Sequence, residues 1–212
     1  MKTDQLIDML SRNVEPAEKP RWKRKLAITL LVGLGIGALL VAIGLGVRPD
    51  IGAARMPVMW KTLFSAAAAV VILPLALQLM RPGRPLGWRI GAVVLFFALC
   101  ALATIVALMG EMPERRWEAW MGGAVFPWCV VLIPVIAAPT AALLVWLMRA
   151  FAPTRLTMAG AAMGALSGGI GAMAYAMYCP TDSVAFVTTW YSVAIATCAA
   201  LGALIVSKFL RW

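Results

Sequence analysis

Residues 21–48 read RWKRKLAITLLVGLGIGALLVAIGLGVR: a basic collar at Arg21, Lys23, Arg24 and Lys25, an uncharged run from Leu26 to Val47, then Arg48. At about 1.5 Å per residue, that run exceeds the ~30 Å hydrocarbon core of a bilayer. It is too long for the apolar region of a secretory signal, and a polar segment precedes it. Retention is therefore expected, although Gly52, Ala53 and Ala54 imitate a cleavage site. Five further runs follow: Leu63 to Met80, Ile90 to Met109, Val125 to Met148, Leu156 to Met177 and Thr189 to Phe209. The expected fold is all-α: a polytopic membrane protein of six transmembrane helices, with residues 1–20 as a separate N-terminal segment and 21–212 as the membrane domain.

Six crossings leave both termini on one side, and charge selects which. Lys2, Arg12, Lys19, the collar, Arg81, Arg84, Arg89, Arg149, Arg155, Lys208 and Arg211 share the terminal side. Only Arg48, Arg55, Lys61, Arg115 and Arg116 fall on the other, balanced there by Asp50, Glu111, Glu114, Glu118 and Asp182. The whole net charge of +10 thus lies on the terminal side. The positive-inside rule places both termini in the cytoplasm of a bacterial inner membrane. The cations stand singly or in short collars beside the spans, as lipid contact requires. No aromatic-interleaved basic surface remains for nucleic acid.

Composition also narrows the chemistry. The chain contains no His, which removes imidazole acid–base catalysis and His ligation of haem or metal. No charge is expected in a span interior, as proton- or ion-handling proteins require, and no phosphate loop, HExxH or CxxC occurs. An enzyme is not expected, nor a cofactor. A transporter of neutral small molecules or metal ions is the rival reading, favoured by Pro74, Pro134 and Pro139 inside spans. Gly33 and Gly37, and Gly160, Gly164 and Gly168, stand at helix-packing intervals.

Two features carry functional information. Cys100 and Cys198 fall in span interiors and read as packing residues. Cys129, at the outer start of the fourth span, and Cys179, at the outer end of the fifth, face the periplasmic side. A thiol pair there would form a disulfide, bind a soft metal or react with an oxidant, provided the two sulfurs meet. The second feature is Met1 to Pro20, where Leu6, Ile7, Leu10 and Val14 recur at helical spacing behind a Thr3 or Asp4 cap, with Pro16 closing the segment. So short a helix is marginal alone in water, and its apolar stripe needs a membrane surface or a protein groove. Asp4 and Asp8 favour a cytosolic protein over anionic lipid.

These residues resemble a known family. Thr3-Asp4-Gln5-Leu6-Ile7 with Leu10, Gly46-Val47-Arg48-Pro49-Asp50-Ile51, Cys179-Pro180 running to Ala185-Phe186 and Trp190-Tyr191, and the closing Phe209-Leu210-Arg211-Trp212 are similar to the NrsF family from end to end. The resemblance implies an inner-membrane anti-sigma factor that holds an extracytoplasmic-function sigma factor until heavy-metal or oxidant stress. It implies that Asp4, Leu6, Ile7 and Leu10 bind the sigma factor and that Cys129 and Cys179 are the periplasm-facing sensing pair. Where the family often has His before the second Cys and an acidic residue after its Pro, this chain has Tyr178 and Thr181. That departure weighs against metal coordination and leaves thiol chemistry intact.

Overall fold

The computed structural model describes residues 22–80, 87–123, 127–151 and 153–209. The regular elements among the described residues are all helical, with no strand. Helix α1 (Trp22–Leu40) runs on through a π-turn, Val41–Leu45. It is followed by α2 (Arg55–Leu79), α3 (Trp88–Gly110), the short α4 (Arg116–Met121), α5 (Cys129–Met148), α6 (Leu156–Tyr175) and α7 (Ser192–Phe209). A helical turn Val184–Phe186 and a second π-turn, Val187–Tyr191, lead into α7. All but α4 are long and apolar enough to cross a membrane.

Helix α6 is the axis of the bundle, although it is the least apolar of the six spans. Its sequence, LTMAGAAMGALSGGIGAMAY, explains both facts. Gly and Ala contribute little hydropathy but permit neighbouring backbones to approach closely. Two-thirds of α6 is buried, against 6% for the uniformly apolar α3 at the periphery. Large side chains such as Leu31, Leu95, Ile105 and Leu204 point outward. A bundle with an apolar exterior and a small-residue centre is a lipid-embedded design, the inverse of a water-soluble one.

The glycine spacing read from the sequence is helix packing. A Cβ on Gly160 would strike the Gly202 carbonyl, and one on Gly164 the Cys198 carbonyl, so α6 and α7 meet along their backbones. On α1, a Cβ at Gly33 would lie 2.5 Å from Thr140 Oγ1 of α5, and one at Gly37 3.3 Å from Ala174 of α6 and Ile136 of α5. Helix α1 is therefore seated in the groove between α5 and α6. Gly164→Leu has rigid backbone in its way and is expected to cost about 1–3 kcal/mol or more. Thermal unfolding of the detergent-solubilised protein should show the loss, whereas Gly35→Ala, with nothing within 4 Å, should leave the midpoint unchanged.

One boundary differs from expectation in a way that matters. The second span begins at Arg55, two turns earlier than the apolar run at Leu63 indicates. Lys61 consequently lies inside α2, fully buried, where the sequence reading places it in a connecting loop. The sixth span likewise starts its helical entry at Val184, ahead of Thr189.

Candidate functional site

The site lies where α5 begins and α6 ends. Cys129 is the first residue of α5, and Cys179 follows α6 in the segment that turns back toward α7. Both are about 1% exposed and belong to one buried cluster with Phe64, Tyr175, Phe186 and Tyr191. The Tyr175 and Tyr191 rings stand 6.0 Å apart, and Phe64 lies 6.5 Å from Tyr191 in an edge-on arrangement. The Tyr191 hydroxyl is buried beside the Cys179 thiol and makes no hydrogen bond of ordinary geometry. Neither thiol is in a disulfide. Each is directed weakly at a nearby carbonyl, Cys129 Sγ at Pro127 (3.8 Å) and Cys179 Sγ at Thr181 (3.7 Å).

The sequence thus places the two cysteines at one end, and the fold brings them into the same cluster across 50 residues. Cys100 and Cys198 belong to the same buried cluster, entering it from α3 and α7, where Cys198 packs on Gly168; what sets Cys129 and Cys179 apart is their place at the ends of α5 and α6. Asp4, Leu6, Ile7 and Leu10 lie outside the described residues. Two thiolates are soft ligands, but they are only half of a closed four-coordinate zinc site. Among the described residues no group of three or more His, Cys, Asp or Glu is assembled for a metal. Two buried sulfurs are better suited to joining each other or capturing one soft ion than to holding a permanent centre.

Charged residues that sequence reasoning treated as loop neutralisation converge on the Cys179 backbone. Lys61 Nζ donates to the Cys179 carbonyl at 2.8 Å and to Asp182 Oδ1 at 2.7 Å. Arg48 Nη1 donates to the same carbonyl at 3.3 Å and to Asp182 Oδ1 at 2.9 Å, while its Nε reaches Asp50 at 2.7 Å. The Arg48 backbone N–H donates to the Met177 carbonyl at 3.2 Å. Gly46 makes this possible: it ends α1 at φ +82°, a conformation glycine adopts without strain, and turns the chain so that Arg48 enters the cluster. A signal for Lys61 was present in Pro57, a residue tolerated in the first turn of a helix, which marks α2 as starting near Arg55.

The electrostatics are those of a satisfied cluster. Partial burial would push the Asp182 carboxyl up, but hydrogen bonds and charge from Arg48 and Lys61 outweigh it and hold the group below its ordinary value. Arg48 does the same to Asp50 and is itself held above its usual value, first by Asp50 and then by Asp182. A carboxyl with a lowered folded-state pKa stabilises above its unfolded value and loses that contribution only as pH falls through the folded one. With an unfolded Asp near 3.9, the cluster is expected to survive mild acidification. Reactivity of Cys129 and Cys179 toward a maleimide, corrected for thiolate fraction, should therefore be flat between about pH 7 and 5.

Helix α4 closes this end. Trp190 Nε1 donates to the Trp120 carbonyl at 2.9 Å, and the Trp117, Trp120 and Trp190 rings contact in series, edge-on at 5.5 Å and tilted at 5.4 Å. A Cβ on Gly122 would lie 2.7 Å from Thr181, so the end of α4 rests on the Cys179 segment. The exposed Arg116, Trp117 and Glu118 of α4, with Trp120 half-buried behind them, suit a helix at the headgroup level.

Comparison with known proteins identifies a family. The model of the NrsF family, described as negative regulator of sigma F, matches residues 10–212. The anti-sigma-F factor NrsF of Caulobacter vibrioides is 35% identical over 217 residues, with the whole of both chains covered. The probable anti-sigma-F factor NrsF of Azospira oryzae is 32% identical over 215 residues, again with both chains fully covered. No solved structure matches the chain.

Proposed function

This chain belongs to the NrsF family of negative regulators of sigma F, and we propose that it is an inner-membrane anti-sigma factor that sequesters an extracytoplasmic-function sigma factor through its N-terminal helix. Both termini are cytoplasmic, as the charge distribution argues. Asp4, Leu6, Ile7 and Leu10 supply the contact, with the three apolar residues set into a groove of the partner as an amphipathic helix would be. Cys129 and Cys179 face the periplasm and register heavy-metal or oxidant stress, on which the sigma factor is released.

The observation that supports this reading most is the seat of α1. The helix that continues from the N-terminal segment packs through Gly33 and Gly37 against α5 and α6, and Cys129 and Cys179 stand at the ends of those two helices. A disulfide requires sulfurs about 2.05 Å apart and Cα atoms about 4.4–6.8 Å apart, and a bridging soft metal draws two sulfurs in to about 2.3 Å each. Either event fixes the spacing of α5 and α6 where α1 rests between them. Small-residue interfaces have little slack, so the shift passes to α1 and to whatever it presents. A tenfold loss of sigma affinity needs only about 1.4 kcal/mol of coupling.

A disulfide trap tests the first step. Mild oxidation of membranes should join Cys129 to Cys179 and lower the amount of sigma factor that co-purifies, with reductant restoring it. An oxidised, bridged protein that retains its full complement of sigma factor would sink the release step.

A further inference from the structure

We infer that Arg48, Lys61 and Asp182 form an ionic latch that keeps the thiol pair closed and ties its state to α1. This inference rests on the proposed regulatory reading and names the residues through which it works. Lys61 is the seventh residue of α2 and fully buried, so its ammonium has left water for two partners only, the Asp182 carboxylate and the Cys179 carbonyl. Arg48 is 8% exposed and reaches the same two groups from the end of α1.

A lysine placed this deep in an apolar helix is costly, and its position at a single backbone carbonyl is informative. Three separate segments, the end of α1, the second turn of α2 and the segment after α6, are joined at the one residue that carries the thiol. The Cys179 peptide group is held by two cations, so any backbone displacement that accompanies bridging of its Sγ to Cys129 or to a metal acts directly on Arg48 and Lys61. The latch therefore has two effects. It keeps both thiols shielded in the resting state, and it makes their reaction pull on Arg48 and hence on α1. Arg48, Lys61 and Asp182 are positioning residues in this account; the chemistry remains with the sulfurs.

The experiment uses the full chain with its sigma partner in intact cells, with Cys100 and Cys198 replaced by Ser so that labelling reports the pair alone. Labelling by a membrane-impermeant maleimide and retention of the sigma factor are read together. Lys61→Met and Asp182→Asn are each expected to raise labelling about tenfold and to release sigma factor without inducer. The double variant should do less than the two single effects combined, because the substitutions share the Lys61–Asp182 contact while each also removes one of its own. If Lys61→Met fails to accumulate in the membrane, Arg48→Gln, at the edge of the cluster, serves in its place. Unchanged labelling in variants present at normal levels overturns the latch while leaving the anti-sigma reading in place. Increased labelling with sigma factor still bound overturns the link to α1. Absence of sigma factor from the unsubstituted protein overturns the proposed function itself, and the latch's regulatory role with it.

Discussion

Leu6→Asp combined with Leu10→Asp is expected to release the sigma factor fully, giving constitutive transcription of its targets with the membrane protein still present at normal abundance. Burying a leucine side chain contributes about 1.5–3 kcal/mol, so two anchors together supply at least about 3 kcal/mol. Loss of that much weakens binding by about a hundredfold or more, before the added cost of burying two carboxylates. The substitutions lie ahead of the basic collar and outside all six spans, so insertion should be untouched. A target-gene reporter measured beside membrane-fraction abundance checks both halves. Full repression in the double variant would remove the N-terminal helix from the account.

Cys129→Ser and Cys179→Ser should each abolish induction by oxidant or soft metal while leaving resting repression intact. Serine is close to cysteine in size but is neither a redox nucleophile nor a soft ligand. The fold should tolerate the exchange, because carbonyl acceptors at Pro127 and Thr181 already face the two positions. Dose–response curves of the reporter are expected to shift by about tenfold or more in inducer concentration, or to become flat. Cys100→Ser and Cys198→Ser should respond as the unsubstituted protein does. An unaltered response in all four would leave the cysteines as packing residues.

The spans were legible because membrane helices announce themselves by length and lack of charge, and each of the six uncharged runs overlaps one long apolar helix. The disagreement at α2 has a specific cause. Lys61 lies outside the uncharged run that starts at Leu63, yet it is inside the helix because its charge is paired with Asp182 across 121 residues. Such pairing is a tertiary fact that no local window contains. The glycine intervals at Gly33, Gly37, Gly160 and Gly164 were legible as packing, although which helices they join was not.

The same division holds at the site. Counting spans places Cys129 and Cys179 at one end, which is topology; their meeting in one cluster depends on α5 and α6 being neighbours, which is packing. In the sequence, Gly46-Val47-Arg48-Pro49-Asp50 carries part of a resemblance, with Arg48 and Asp50 counted as opposing loop charges. In the structure its parts have distinct work: Gly46 turns the chain, Arg48 grips the Cys179 carbonyl and Asp182, and Asp50 completes the guanidinium's partners.

The most direct test of the central claim is a pull-down from detergent-solubilised membranes of unstressed cells, comparing the full chain with a version lacking residues 1–13. A sigma factor is expected to be recovered with the full chain and lost from the truncated one, both proteins being equally abundant in the membrane. Equal recovery with both would place the contact elsewhere, and recovery with neither would contradict the anti-sigma function.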